Sequence, residues 1–286
     1  MRVAIITDNP VAHTFAKELY AEYTNKHKFT MKIYQSPKGS LRLFWRDVPR
    51  ISVKNECEFL IKNYDLIISI HCKQLFPPEL VRGVRCVNVH PGYNPFNRGW
   101  FPQVFSIMNG LPCGVTIHEM DEQLDHGNII VQRQCDINSW DTSETVYNRI
   151  LEIERELLFE YFPKILDKEY AGFKPHKEGN LNLKKDFDLL KEIKLNESAP
   201  FGYFINLLRA MTHGKYKNAY FIDKHSNKVY VGIQLEKEEK EEKEEKEEEE
   251  VEKKLQTLFE KRVEEQRTDE QKSLAERIEA NKKFDF

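Results

Sequence analysis

Three polar residues sit where apolar runs end and can do chemistry together: Asn88 and His90 in Cys86-Val87-Asn88-Val89-His90-Pro91-Gly92, and Asp125 in Leu124-Asp125-His126-Gly127. In a strand, residues two apart point the same way, so Asn88 and His90 share a face while Val87 and Val89 pack on the other. An amide, an imidazole and a carboxylate together can support acyl transfer or hydrolysis. The Asn88 amide NH₂ can donate to the oxyanion that develops, an interaction worth on the order of 3 kcal/mol in comparable sites. His90 can stabilise the same oxyanion or take a proton, because an unperturbed imidazole titrates near neutrality. Asp125 can orient the imidazole and raise its proton affinity, or hold a water that relays the proton. Each has a plainer reading: a lone His after a strand as a packing or capping residue, and Asp125 beside Gly127 as a turn residue. Asp125 therefore rests on the company of the other two. Cys86 falls inside the strand and is no convincing nucleophile. His118 and His126 can be read as further site histidines or as metal ligands with His90, but their spacing fits no compact ligand motif.

The longer run N-V-H-P-G-Y-N-P-F-N-R-G followed by L-D-H-G resembles the folate-dependent formyltransferases, whose pattern is Asn-x-His-Pro and a later Asp-x-Gly. Trp100-Phe101-Pro102-Gln103 and Ile117-His118-Glu119-Met120-Asp121 are similar to the branch acting on dTDP-linked amino-dideoxy sugars. The resemblance covers roughly residues 1–235. It implies an α/β fold, a Rossmann-like formyltransferase domain with a small C-terminal helix plus β-hairpin appendage, and a homodimer. It implies a formyl group moved from 10-formyltetrahydrofolate to the amine of a 4-amino- or 3-amino-dideoxy sugar by direct attack, without metal, for surface glycan or O-antigen (lipopolysaccharide) synthesis. It places Asn88, His90 and Asp125 at the reaction centre, with folate against Lys73, Leu75, Phe76, His118, Met120 and Asp121.

The turn-rich segment Gly92 to Trp100 should form a loop at a strand's carboxyl end, where open α/β sheets bind ligands. There Arg98 can pair with a diphosphate, Tyr93 or Trp100 can stack on a base or sugar, and Asn94 and Asn97 add polar groups. Asn9, in the turn after the first strand, is placed to meet the nucleotide. No G-x-G-x-x-G run follows that strand, which argues against a dinucleotide cofactor. Methionyl-tRNA or another amine as acceptor, and a non-catalytic scaffold, are the competing readings. The first conflicts with weak basic charge, the second with an intact trio.

The whole chain has 286 residues and a net charge of −3, but residues 236–286 hold 20 acidic and 13 basic residues, so residues 1–235 carry +4. A mildly basic body suits small anionic ligands; the excess is too small and scattered to argue for nucleic acid. Five widely spaced cysteines indicate neither a disulfide framework nor a zinc motif. No apolar stretch approaches the roughly 20 residues needed to cross a bilayer, and no cleavage signature follows Met1; a cytoplasmic protein is expected.

The elements that must position the trio are legible as pattern. Val3 to Asp8, Pro10 to Tyr23 and Met31 to Tyr34 read as strand, helix and strand. Further strands are expected at 66–70, 86–89, 114–117 and 129–132, with helices at 53–62, 102–108 and 143–166, the last capped by Thr142 or Ser143. Val- and Ile-rich strands alternating with helices imply a sheet covered on both faces. The organisation expected is a catalytic domain at 1–168, an irregular linker at 169–198, a helix and hairpin at 199–235 (with Tyr220 and Tyr230 in hairpin packing) and a charged Lys/Glu-rich tail at 236–286. Val251, Leu255, Leu258, Leu274 and Ile278 form too sparse a stripe for a coiled coil.

Overall fold

A computed structural model describes residues 1–39, 47–238, 251 and 253–257. It divides into two units, Met1–Leu235 and Glu236–Phe286. In the second, residues 253–257 are helical and exposed; most of the Lys/Glu run, with Leu258, Leu274 and Ile278, lies outside the described residues.

In the first unit, β1 (Arg2–Thr7), α1 (Pro10–Tyr23) and β2 (Thr30–Tyr34) open the chain, followed by α2 (Cys57–Asn63), β3 (Leu66–Ile70), α3 (Pro78–Gly83) and β4 (Arg85–His90). These four strands are parallel. Val3 and Ile5 belong to one apolar layer and Ala4 and Ile6 to the other, so alternation along β1 fills both faces of the sheet. After β4 come β5 (Arg98–Gly99), α4 (Pro102–Asn109), β6 (Gly114–Glu119) and β7 (Ile129–Gln134). β6 runs antiparallel to β4, and β7 antiparallel to β6, giving the order β2-β1-β3-β4-β6-β7. α5 (Ser143–Asp167) then crosses the larger apolar layer with Val146, Ile150, Leu157, Leu158, Phe162 and Ile165. Thr142 is its N-cap residue, and the Thr145 hydroxyl accepts the Thr142 N–H at 3.0 Å.

Two elements differ from the sequence reading. The helix expected from Val53 begins only at Cys57, because Ser52 and Glu56 capture the intervening backbone: Asn55 N–H donates to Ser52 Oγ and Ser52 N–H to Glu56 Oε2. Residues 169–198 are not simply irregular. They hold β8 (Leu181–Asn182), parallel to β5, and α6 (Lys184–Leu189), whose Phe187 packs on Phe101 with ring centroids 4.3 Å apart. A two-residue strand and a six-residue helix carry too little periodicity to show in sequence; their partners lie about 80 residues earlier, and tertiary packing decides them. The appendage comprises α7 (Phe201–Met211), a short pair β9 (Thr212–His213) and β10 (Tyr216–Lys217), and the hairpin β11 (Ala219–Ile222) with β12 (Lys228–Val231). In that hairpin Tyr220 faces Tyr230.

Phe162 is fully buried between Tyr23 and Phe29, joining α5 to α1 and the start of β2. Phe162→Ala should destabilise the first unit by about 3–5 kcal/mol, read as a lowered denaturant midpoint with an unchanged slope.

Candidate active site

β4 delivers Asn88 and His90 from its carboxyl end, and a turn after β6 delivers Asp125. Two features let that turn reach the strand. Asp125 adopts φ +48°, a left-handed conformation that Asp tolerates better than most residues. Gly127 passes so close to the Glu119 carbonyl that a Cβ would sit 1.8 Å from its oxygen.

The three side chains meet. Asn88 Nδ2 donates to Asp125 Oδ1 at 2.9 Å, and His90 Nδ1 lies 3.5 Å from Asp125 Oδ2. The Gly99 N–H donates to the same Oδ2 at 3.0 Å, and Asn94 Nδ2 to the Asp125 carbonyl at 2.8 Å. A fourth member is His118, assigned to folate on resemblance but only 1% exposed and set behind the trio. Its Nδ1 lies 2.8 Å from the Glu119 carbonyl, and its Nε2 lies 3.7 Å from Asp125 Oδ1. That Nε2 stands 3.3 Å from Asn88 Nδ2. The Asn88 amide is thus held by Asp125 and lies beside His118 Nε2.

Burial is the stronger influence on His90, which is 3% exposed, and pushes its pKa down to about 4 against the pull of Asp125. The expectation that Asp125 raises its proton affinity is therefore outweighed. For Asp125, burial pushes upward, but His90, His118 and the Gly99 N–H together hold the carboxyl down at about 2. Near neutrality the site is a carboxylate beside a neutral imidazole. The carboxylate favours the proton on Nδ1, leaving Nε2 as a lone pair that is buried and has no hydrogen-bond partner. Gly92 lies against that atom: a Cβ there would stand 2.3 Å from Nε2, so glycine keeps the space in front of it open.

A cleft of about 240 Å³ adjoins the trio, lined by Asn94, Arg98, Asp125 and His126 on one side and residues 174–178 on the other. Asn94 is buried, and its Oδ1 also lacks a partner. Arg98 Nη2 pairs with Glu178 at 2.7 Å. Lys174, His176 and Lys177 were missed in sequence because they fall in the segment read as linker; two lysines and a histidine within four residues were the available signal.

The remaining candidates divide. Asn97 is 0% exposed, with its amide spent on Ser106, Asn109, Asn180 and Asn182, so it ties the loop down rather than facing a ligand. Asn9 is the cap of α1, its Oδ1 accepting the Val11 N–H and its Nδ2 donating to Tyr147 Oη at 2.7 Å. Trp100 and Tyr93 are half-buried, Trp100 edge-on to Phe101. Phe76 and Met120 pack on the smaller apolar layer, while Leu75 is 74% exposed. Lys73 is exposed and donates its N–H to Asp8. Asp121 accepts from His126 Nδ1 at 2.6 Å.

A mixed sheet with an Asn, His and Asp converging at its carboxyl edge defines the class, and the sequence matches the formyl transferase family over residues 8–162 and the N-formyltransferase dimerization C-terminal domain over residues 186–237. The chain belongs to the formyl transferase family. It is 52% identical to the dTDP-4-amino-4,6-dideoxyglucose formyltransferase of Mycobacterium tuberculosis over 239 residues, covering 84% of this chain and 98% of that protein. The crystal structure of a 4-N formyltransferase from Francisella tularensis superposes with TM-score 0.78 at 42% identity, covering 82% of this chain and 98% of that one. A formyltransferase from Anoxybacillus kamchatkensis, solved in complex with UDP-4,6-dideoxy-4-formamido-L-AltNAc and tetrahydrofolate, superposes with TM-score 0.52 at 25% identity, over 66% of this chain and 89% of that one.

The buried imidazole makes stability pH-dependent. Below an unfolded pKa of 6.5 the unfolded chain takes a proton that folded His90 refuses until about pH 4. Stability from this residue is therefore full above pH 6.5 and falls by on the order of 3 kcal/mol as pH drops toward 4. Urea unfolding at both ends of that window should show a smaller loss in His90→Asn than in the wild type.

Proposed function

We propose that this chain transfers a formyl group from 10-formyltetrahydrofolate to the amine on carbon 4 of a dTDP-linked 4-amino-4,6-dideoxy sugar. The observation that carries this reading is the 52% identity to a protein of that name across nearly its whole length, joined to a site in which Asn88, His90 and Asp125 converge. In this reading the amine attacks the formyl carbon directly, Asp125 holds the trio together, and His90 Nε2 with Asn94 Oδ1 are the unpaired polar atoms that meet the reactants. Lys73, Leu75, Phe76, Met120 and Asp121 border the folate, while Arg98, Lys174 and Lys177 attract the negatively charged parts of the ligands, with Tyr93 and Trp100 beside the loop. The catalytic region spans residues 1–168, the helix and hairpin, which share its apolar core, form the dimerising piece, and the charged tail is dispensable for chemistry. The protein works in the cytoplasm, as a homodimer, without nucleic acid, on nucleotide sugars destined for surface glycan such as the O-antigen of lipopolysaccharide.

Purified protein incubated with the amino sugar nucleotide and 10-formyltetrahydrofolate should yield a sugar heavier by one formyl group in place of hydrogen, read by mass spectrometry. Asp125→Asn should lower turnover by about 10²- to 10⁴-fold. No mass gain with either the 4-amino or the 3-amino sugar would sink the reading. Phe201 and Tyr216 are exposed on the matched dimerization segment, and Phe201→Asp should convert the dimer to a monomer in light scattering.

A further inference from the structure

A second carboxylate–imidazole pair stands beside the trio, and the reading above gives it no work. Glu154, on α5, is 0% exposed, and its Oε2 lies 2.7 Å from His71 Nε2. Its other oxygen, Oε1, is buried and has no hydrogen-bond partner among the described residues. His71 follows β3 directly and holds φ +50°, a left-handed conformation that is rare for histidine. Ile70 and Val89 are register partners on β3 and β4, so His71 and His90 leave neighbouring strands side by side, about 4.8 Å apart in backbone spacing. Among the described residues, the other titratable groups beside His71 include Tyr147 on α5, with ring centroids 5.9 Å apart, and the neighbouring Cys72, whose thiol is pushed up by burial; His213 lies one ring further, against Tyr147.

Taken for stability, this arrangement is poor. A buried ion pair roughly breaks even against an apolar pair of the same volume, an unpaired buried oxygen costs about 1–3 kcal/mol, and left-handed backbone adds strain. Each disadvantage is concentrated at the carboxyl edge of the strand next to His90. Such concentration marks a group kept for chemistry. A role is also vacant. An amino sugar reaches the enzyme largely as an ammonium ion, which must lose a proton before it can attack, and the trio is badly suited to take it: His90 is held at about 4 and Asp125 at about 2.

We infer that His71, oriented by Glu154, is the base that takes the first proton from the acceptor amine. This rests on the amino-sugar reading above. The His71 Nε2–H donates to Glu154, which leaves Nδ1 as the accepting atom. The ammonium delivers one proton to Nδ1 and becomes a free amine, whose lone pair forms the bond to the formyl carbon. Its second proton passes to the departing folate nitrogen as the old C–N bond breaks, and the His71 proton is released to water. His71 is thus a catalytic residue and Glu154 a positioning residue.

The test compares wild type, His71→Asn and Glu154→Gln as full-length dimers, with circular dichroism confirming the fold. His71→Asn should lose about 10²-fold or more in kcat/KM at pH 7 and recover most of it as pH rises and the free amine supplies itself. Glu154→Gln removes the charge but keeps the shape, and should move the acidic limb of the kcat/KM profile to lower pH by about 1 unit or more. In folate-free enzyme, the His71 ring signals in NMR should move to the cationic position when the amino sugar nucleotide binds, and stay put with the analogue bearing a hydroxyl. A His71→Asn deficit that is equal at every pH, an unmoved limb in Glu154→Gln, or ring signals indifferent to the amine would overturn the inference while leaving the transferase reading intact. A wild type inactive on every amino sugar removes both.

Discussion

The rest of the site depends on one buried carboxylate. Asp125 accepts hydrogen bonds from Asn88 and from the Gly99 backbone, faces His90, and lends its own carbonyl to Asn94. It therefore ties together the end of β4, the loop after it and the turn after β6. Isolating a carboxylate from water is expensive unless donors surround it, and here the donors are the very groups that must be arranged for reaction. The electrostatic demand of the carboxylate and the geometric demand of the chemistry are met by the same bonds.

That arrangement sets the protonation states. Burial keeps His90 neutral, and the ionised Asp125 selects its Nδ1 tautomer. Asn88 donates its amide to the Asp125 carboxylate, and that bond sets which way the amide points. Two buried acceptors there, His90 Nε2 and Asn94 Oδ1, have no partner among the described residues. A site rich in acceptors is suited to an amine, which arrives with protons to give. Positive charge on the far wall of the cleft comes from Lys174 and Lys177, while Arg98 is paired with Glu178.

Much of this was legible in the chain. Alternation in β1 and β4, the 3.6-residue spacing of α1 and α5, and the Asn-x-His-Pro and Asp-x-Gly pair all follow rules that act over a few residues. Legibility failed where the deciding partner was distant. Asn97 looked like a ligand residue and is a buried tie, because its acceptors and donors come from Asn180 and Asn182. His118 looked like a folate neighbour and completes the trio because β6 runs antiparallel to β4 and sets it opposite Asn88. Asn9 looked like a nucleotide contact and is a helix cap, a role its position before Pro10 advertises.

The sequence by itself determined the family and the sheet covered on both faces, and it singled out Asn88, His90 and Asp125 together, since strand periodicity and two short motifs specify which side chains lie where strands end. Only the tertiary structure decided that Asp125 is the hub, that residues 174–178 wall the cleft, and that Glu154 of α5 meets His71 at 2.7 Å across 83 residues of chain. The reason is physical: hydrogen bonds, burial and the resulting charge states belong to contacts between segments, and a chain read in order carries the segments but not their contacts.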